Sequence, residues 1–273
     1  MEFALRESDF AAISKRVRDL SGIVLSDRKR ELVYNRLVRR LRALRLQSFR
    51  EYCELLEGEG GETEAAALIN AITTNLTSFF REKHHFAHLA RSVLAPAIDA
   101  GKRGRRRLRF WSAACSTGEE PYSIGMVLSE CLSGQQGWDA KILATDIDTN
   151  VLAHAEKGIY PIDALSTIPA AYADKYVTRT EQGDLSIAAE IRGRISFKQL
   201  NLFDDWPVKG PFEAIFCRNV FIYFDKKDQA KIANRFADLL QPKGWLYIGH
   251  SESLQGHTEK LVLAGQTIYQ RAQ

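Results

Sequence analysis

No apolar run in this chain approaches the roughly 20 residues that a membrane-spanning helix needs. The N-terminus MEFALRESDF carries acids where a signal peptide carries bases ahead of an apolar run. Both absences predict a cytoplasmic protein without direct membrane insertion. Cysteine is sparse: Cys53, Cys115, Cys131 and Cys217 are scattered without CxxC spacing, which argues against a zinc site or a disulfide framework and predicts reduced, mostly buried thiols. His84 and His85 lack further ligands at metal spacing, so they are expected to be structural and no metal is expected. Internal repeats and low-complexity tracts are missing as well.

What is present suits one large core plus a small helical domain: 273 residues, 45% hydrophobic and 26% charged. The net charge of +4 hides an uneven distribution. Residues 28–50, RKRELVYNRLVRRLRALRLQSFR, place Leu32, Leu37, Leu41 and Leu44 at helical spacing among many arginines. This basic amphipathic helix is either a solvated face or a docking surface for an acidic partner. A second basic run, GKRGRRRLR at 101–109, reads as a surface loop with no specific function.

Residues 1–72 read as helices only, and from about 107 the pattern changes. Strand candidates LRFWSA, AKILATDI, FEAIFCRN and GWLYIGHS alternate with helical PYSIGMVLSECL, TNVLAHAEKG and KKDQAKIANRFADLL. Such alternation predicts an α/β, doubly wound, Rossmann-like domain on a parallel sheet. The closing stretch LVLAGQTIYQRA follows a strand without an intervening helix, so it can enter antiparallel. VTRT and LSIAA flank a turn-like EQGD, which predicts a β-hairpin insert at about 175–194. The expected division is a helical domain at 1–72, a linker at 73–90 and an α/β domain at 91–273.

The first strand-to-helix turn, FWSAACSTGEEPYSIG at 110–125, sits where such a sheet meets its ligand. It is neither GxGxxG nor GxxxxGK[ST]. Glu119 and Glu120 would repel a phosphate there, although they also complement a helix N-terminus whether or not a ligand is bound. A ligand with an α-amino group and a sulfonium beside an adenosine fits: S-adenosylmethionine. Spacing alone does not choose between the two glutamates. Asp146 ends the second strand, where an acid can accept hydrogen bonds from both ribose hydroxyls, and Asp148 is positioned to cap the following helix. Together these positions predict an S-adenosylmethionine-dependent methyltransferase.

TNLTSFFR at 74–81, STGEEPYSIGM at 116–126, ATDID at 144–148, NLFD at 201–204, PFEAIFCRNVFIYFD at 211–225 and GHSESL at 249–254 resemble the chemotaxis receptor methyltransferases, the CheR family. The resemblance covers nearly the whole chain. It implies an all-α N-terminal domain that docks receptors, and methyl transfer to glutamates on the cytoplasmic helices of bacterial chemoreceptors, with S-adenosylhomocysteine as product. Residue by residue, it implies cofactor contacts from Asn75, Thr77, Arg81, Glu120, Asp146, Asn201, Leu202, Arg218 and Asn219, with Tyr223 from the same fourth-strand motif. It favours Glu120 over Glu119. Arg81 and Tyr223 suit the alignment of an incoming carboxylate. Arg36, Arg39 and Arg40 become the candidates for docking glutamate-rich receptor helices.

Other classes fit less well. Amine-directed nucleic-acid methyltransferases resemble one another in [DNS]PP[YF], where this chain reads CRNV, and Cys217 follows Phe216 rather than the proline of cytosine C5 enzymes. No nucleic acid partner is expected. A cofactor-bound adaptor without transfer activity is opposed by the retention of Arg81 and Tyr223. In this family the hairpin can grip a C-terminal receptor pentapeptide as an added strand. The hairpin loop here is shorter than in tethered members, so docking without pentapeptide tethering is expected. The receptor body or a regulatory adaptor protein remains a possible contact for the hairpin. The expected location is the cytoplasm, at receptor arrays on the inner membrane.

Overall fold

The computed structural model describes residues 2–101, 104 and 106–272. Its N-terminal unit comprises α1 (Glu7–Ser21), α2 (Arg30–Leu44), α3 (Phe49–Glu57) and α4 (Gly61–Ile72). The basic run 28–50 is broken: Arg45 turns left-handed at φ 57 and ends α2, and Ser48 Oγ caps α3 by accepting from the Glu51 amide at 3.2 Å. The buried stripe of α2 is Val33, Leu37, Val38 and Leu41, packed with Ile13, Val17, Phe49, Tyr52 and Leu68. Leu32 and Leu44, expected on that stripe, are only half-buried, because the two valines already fill the face.

Two of the three proposed docking arginines also make contacts inside the fold. Arg40 makes a forked contact with the buried Glu64 carboxylate, with Nε to Oε1 at 2.9 Å, and Tyr52 donates to the same oxygen at 2.9 Å. Arg36 donates to the Ile72 carbonyl, to that of Thr73 at 2.7 Å and to Thr74 Oγ1 at 3.1 Å. It thereby satisfies the carbonyls that the end of α4 leaves unpaired. Arg39 alone of the three is exposed.

The linker leads into α5 (Lys83–His88), a wider π-type turn at Leu89–Leu94, and α6 (Ala95–Gly101). Within the basic stretch 101–109, positions 102, 103 and 105 lie outside the described residues, and Arg107 and Arg109 already belong to β1 (Arg107–Ala113). There follow α7 (Glu119–Cys131), β2 (Asp139–Asp146), α8 (Thr149–Lys157), β3 (Ile159–Tyr160), α9 (Ala170–Tyr176), β4 (Val177–Arg179), β5 (Leu185–Ile187) and α10 (Ala189–Arg192). The chain closes with β6 (Ile195–Gln199), β7 (Phe212–Phe216), α11 (Lys226–Leu239), β8 (Leu240–Tyr247), β9 (Leu261–Gly265) and β10 (Ile268–Arg271).

The main sheet runs β6-β2-β1-β7-β8-β10-β9. Its first five strands are parallel, and the terminal β-rich stretch folds into a hairpin whose β10 joins β8 antiparallel. Alternate residues feed opposite faces. Phe110, Ala214 and Phe216 pack with Tyr122 and Ile124 of α7, whereas Trp111 and Ile215 pack with Ile232 and Phe236 of α11. The predicted hairpin is β4 and β5, and β3 joins it to make a small separate sheet ordered β3-β5-β4. Among the described residues, no helix is long and apolar enough to cross a membrane.

Since Arg36 holds the segment that enters the linker, Arg36→Ala should cost about 1.5–3 kcal/mol in urea unfolding, as for lost hydrogen bonds to a charged group. It should also weaken cofactor binding measured by calorimetry. Arg39→Ala should change neither quantity.

Candidate functional site

A cleft opens where the carboxyl ends of β1, β2 and β7 face the helical unit. Its sheet side carries Cys115, Ser116, Glu120, Asp146, Leu202 and Arg218. Its helical side carries Ile23, Lys29, Leu32 and Ile72, and the linker adds Asn75, Leu76, Thr77 and Arg81. Asn201, Asn219 and Tyr223 also line it, so every residue assigned to the cofactor or catalysis reaches one cavity.

Asp146 is 5% exposed at the tip of β2. Its Oδ2 accepts from the Ser116 amide at 2.8 Å and its Oδ1 from the Asp148 amide at 3.0 Å. Each carboxylate oxygen can accept more than once, and the carboxylate lines the cleft, where it can still accept from the hydroxyls of a ligand. Burial pushes the Asp146 carboxyl up to about 6. Asp148 does cap α8, its Oδ1 accepting from the Asn150 amide at 2.9 Å. The other oxygen receives Thr73 Oγ1 at 2.9 Å and Asn75 Nδ2 at 2.8 Å, which ties the linker to the sheet.

The two glutamates of the turn separate cleanly. Glu119 turns to Thr117, whose hydroxyl donates to it at 2.6 Å, and does not line the cleft. Glu120 is buried in the cleft wall, where Oε1 accepts from Ser112 Oγ at 2.7 Å and Oε2 from Arg218 Nη1 at 3.1 Å. Burial raises its pKa even against the neighbouring Arg218. The turn itself is left-handed at Ala114, Ser116 and Gly118. A Cβ on Gly118 would stand 2.8 Å from both Ala155 Cβ and the Tyr160 hydroxyl, so this glycine serves packing and not the approach of a phosphate.

Arg218 lines the cleft and also ties several segments together. It is 8% exposed, pairs with Glu120 and with Glu82 at 3.4 Å, and donates to the Arg81 carbonyl. Burial opposes ionisation of Glu82, but Arg218 and His250 outweigh it and hold its pKa below the ordinary value. Glu82, His84 and His85 bring ligand-type atoms within 4.8 Å of one another, a grouping that spacing did not suggest. The Arg218 guanidinium already supplies the countercharge to that carboxylate, and burial drives His85 down to about 3, leaving the imidazole neutral at physiological pH.

Glu252, inside the quoted GHSESL motif, was not singled out from sequence. Its buried carboxylate accepts from the amides of Gly249, Asn219 (2.9 Å) and Ile222 (3.3 Å), pinning the turn that presents Arg218, Asn219 and Tyr223. A Cβ on Gly249 would meet Asn219 Nδ2 at 2.3 Å, so the two segments touch backbone to side chain. Asn201 uses its amide on the Leu20 carbonyl at 2.8 Å, joining the sheet to the end of α1. Arg81 Nη1 donates to the Leu76 carbonyl at 2.9 Å, and the rest of its fork is left for the cleft. Cys217 is fully buried and its thiol is pushed well up by burial, which removes it as a nucleophile.

The donor set fits S-adenosylmethionine: paired acceptors for a ribose diol at Asp146 and carboxylate character at Glu120 for an ammonium group. An ionised Asp146 can accept from both hydroxyls, whereas a protonated one loses an acceptor position. Cofactor affinity should therefore fall as pH drops through about 6. Calorimetry across that range should show the loss in wild type and a flatter profile, starting from weaker binding, in Asp146→Asn.

Two family models cover the chain. The CheR methyltransferase all-alpha domain matches residues 8–73, and the CheR methyltransferase SAM binding domain matches residues 75–270. The chemotaxis protein methyltransferase of Salmonella typhimurium is 45% identical over 271 residues, spanning 97% of this chain and 91% of that protein. Chemotaxis protein methyltransferase 2 of Pseudomonas aeruginosa is 44% identical over 278 residues, spanning 99% and 95%. The relative from Borreliella burgdorferi is 37% identical over 256 residues, spanning 93% and 90%. With both domains matched in order and a cleft furnished for the cofactor, the chain belongs to the CheR family of S-adenosylmethionine-dependent methyltransferases.

Proposed function

We propose that this enzyme methylates glutamate side chains on the cytoplasmic helices of bacterial chemoreceptors, giving glutamate methyl esters and S-adenosylhomocysteine during sensory adaptation. The observation that carries the reading is the meeting of Arg81 and Tyr223 with the carboxylate-lined cofactor wall in one cleft. Bound S-adenosylmethionine supplies an electrophilic methyl group on a sulfonium.

A glutamate acceptor, with a reference pKa of about 4.3, is already ionised at neutral pH, so no general base is needed. Its oxygen forms the new bond to the methyl carbon while the carbon–sulfur bond breaks and its electron pair returns to sulfur. The protein's task is alignment and exclusion of water. In this reading the free side of the Arg81 fork holds one carboxylate oxygen, and the Tyr223 hydroxyl, which no described residue engages, orients the approach. With wild type, a purified receptor cytoplasmic fragment and labelled cofactor, base-labile methyl esters should form. Arg81→Ala should lower turnover about 100-fold or more through lost alignment. Turnover within a few-fold of wild type would remove Arg81 from the reaction.

Docking is assigned to the basic face of α2 at Arg36, Arg39 and Arg40, of which Arg39 is exposed and the half-buried Arg36 and Arg40 also keep the linker and α4 in place. Such a face steers acidic partners and weakens with salt. It would bring the enzyme from the cytoplasm to receptor arrays at the inner membrane.

Tethering by a C-terminal receptor pentapeptide is not part of this reading. The edge strand β4 spans only Val177–Arg179, and the turn beyond it closes tightly, the Thr180 amide donating to the Asp184 carbonyl at 2.8 Å. That leaves little ladder for an added strand. Calorimetric titration with a free pentapeptide of the kind that tethered relatives bind should show no saturable heat at micromolar concentration. Low-micromolar affinity, worth about 8 kcal/mol, would establish tethering instead.

A further inference from the structure

Lys29 stands out among the charged groups of the cleft because it has no assigned task. It ends the short helical turn Asp27–Lys29 ahead of α2, lines the cavity from the helical side, and is half-buried. Its Nζ lies 4.9 Å from the centre of the Tyr223 ring. The acids of the sheet wall are compensated: Glu120 by Arg218, and Asp146 by backbone amides. Among the described residues no carboxylate pairs with Lys29, and burial together with Arg36 disfavours its charged form. A cation held in a cleft wall without a partner is a site waiting for an anion.

Resting on the receptor-glutamate reading, we propose that Lys29 is a positioning residue that pairs with the carboxylate of the incoming acceptor glutamate beside Tyr223. The cofactor is a poor partner for it. The acids suited to the ribose and the ammonium group lie on the sheet side, at Asp146 and Glu120, whereas Lys29 enters from the opposite wall. An ammonium facing a sulfonium is repelled unless an anion sits between them, and the acceptor carboxylate is the anion that the reaction brings there. Transfer converts that carboxylate into a neutral ester, which offers Lys29 no charge. The same pairing that selects ionised glutamate on entry therefore lapses when product forms.

A two-by-two binding comparison tests this. Full-length wild type and Lys29→Met, both loaded with S-adenosylhomocysteine, are titrated calorimetrically with a receptor cytoplasmic fragment carrying the acceptor glutamate and with its glutamine form. Wild type should prefer glutamate by about tenfold, Lys29→Met should lose most of that preference, and Lys29→Arg should keep it, with S-adenosylhomocysteine affinity within twofold throughout. An equal glutamate preference in Lys29→Met, no preference in wild type, or a tenfold loss of S-adenosylhomocysteine affinity with the preference intact would each overturn the assignment. Methyl-ester formation by wild type on the glutamate fragment is read separately, so failure of the receptor reading is not confused with failure of Lys29.

Discussion

The buried guanidinium of Arg218 is the constraint around which the cleft is arranged. Three segments far apart in sequence converge on it: the start of α7 through Glu120, the linker through Glu82 and the Arg81 carbonyl, and the turn after β7 that carries Arg218 itself. Removing one partner of such a buried pair typically costs about 3–5 kcal/mol, because the remaining charge is left in a low dielectric. The backbone of Arg81 is thereby fixed relative to Glu120, which places two cleft-lining groups in one frame. Glu252 completes that frame from below by satisfying the amides of the Asn219 turn.

The cleft does not belong to the α/β domain alone. Its outer wall comes from the helical unit, and the join is made by polar contacts: Thr73 and Asn75 to Asp148, Asn201 to the Leu20 carbonyl, and the Val24 amide to the Tyr223 carbonyl at 2.8 Å. Apolar packing reinforces it, with Ile147 and Tyr223 resting on the helical core. A ligand between the two walls binds only when they are apposed, so its binding free energy adds to the stability of the join. The two units are thus joined at the cleft by a continuous set of polar and apolar contacts.

The parallel sheet and the carboxylate positions were legible because they follow from local pattern. Apolar strands alternating with helices fix a parallel sheet, and the ends of strands are where ligands bind, so Asp146 could be named from its place in AKILATD. Glu120 needed the family resemblance, since two adjacent acids in a turn look alike until the helix phase turns one inward. The structural contacts of Arg36 and Arg40 were not legible for a physical reason: an arginine on an amphipathic helix looks solvated until the carbonyl ends of α4 and the Glu64 carboxylate arrive from other parts of the chain. Arg218, Glu252 and Lys29 share that difficulty. Their partners, or in the case of Lys29 the missing partner, are defined only by contacts that sequence spacing does not encode.

The turn with the unexpected residues also explains how the small inserted sheet relates to the site. Gly118 is left-handed at φ 99 and is pressed against Tyr160 and Ala155, and the Tyr160 hydroxyl donates to the Thr117 carbonyl at 2.7 Å. Tyr160 lies in β3, the strand that joins the hairpin in the small sheet, and Tyr122 of α7 donates to the Ala155 carbonyl at 2.6 Å beside it. The glycine that a nucleotide-binding loop would use to admit a phosphate here admits a tyrosine from the insert. The small sheet is therefore in direct, buried contact with the backbone that precedes Glu120. The attachment rests on the absence of a side chain at Gly118, while the carboxylates that follow it turn to Thr117 on one side and to Ser112 and Arg218 on the other.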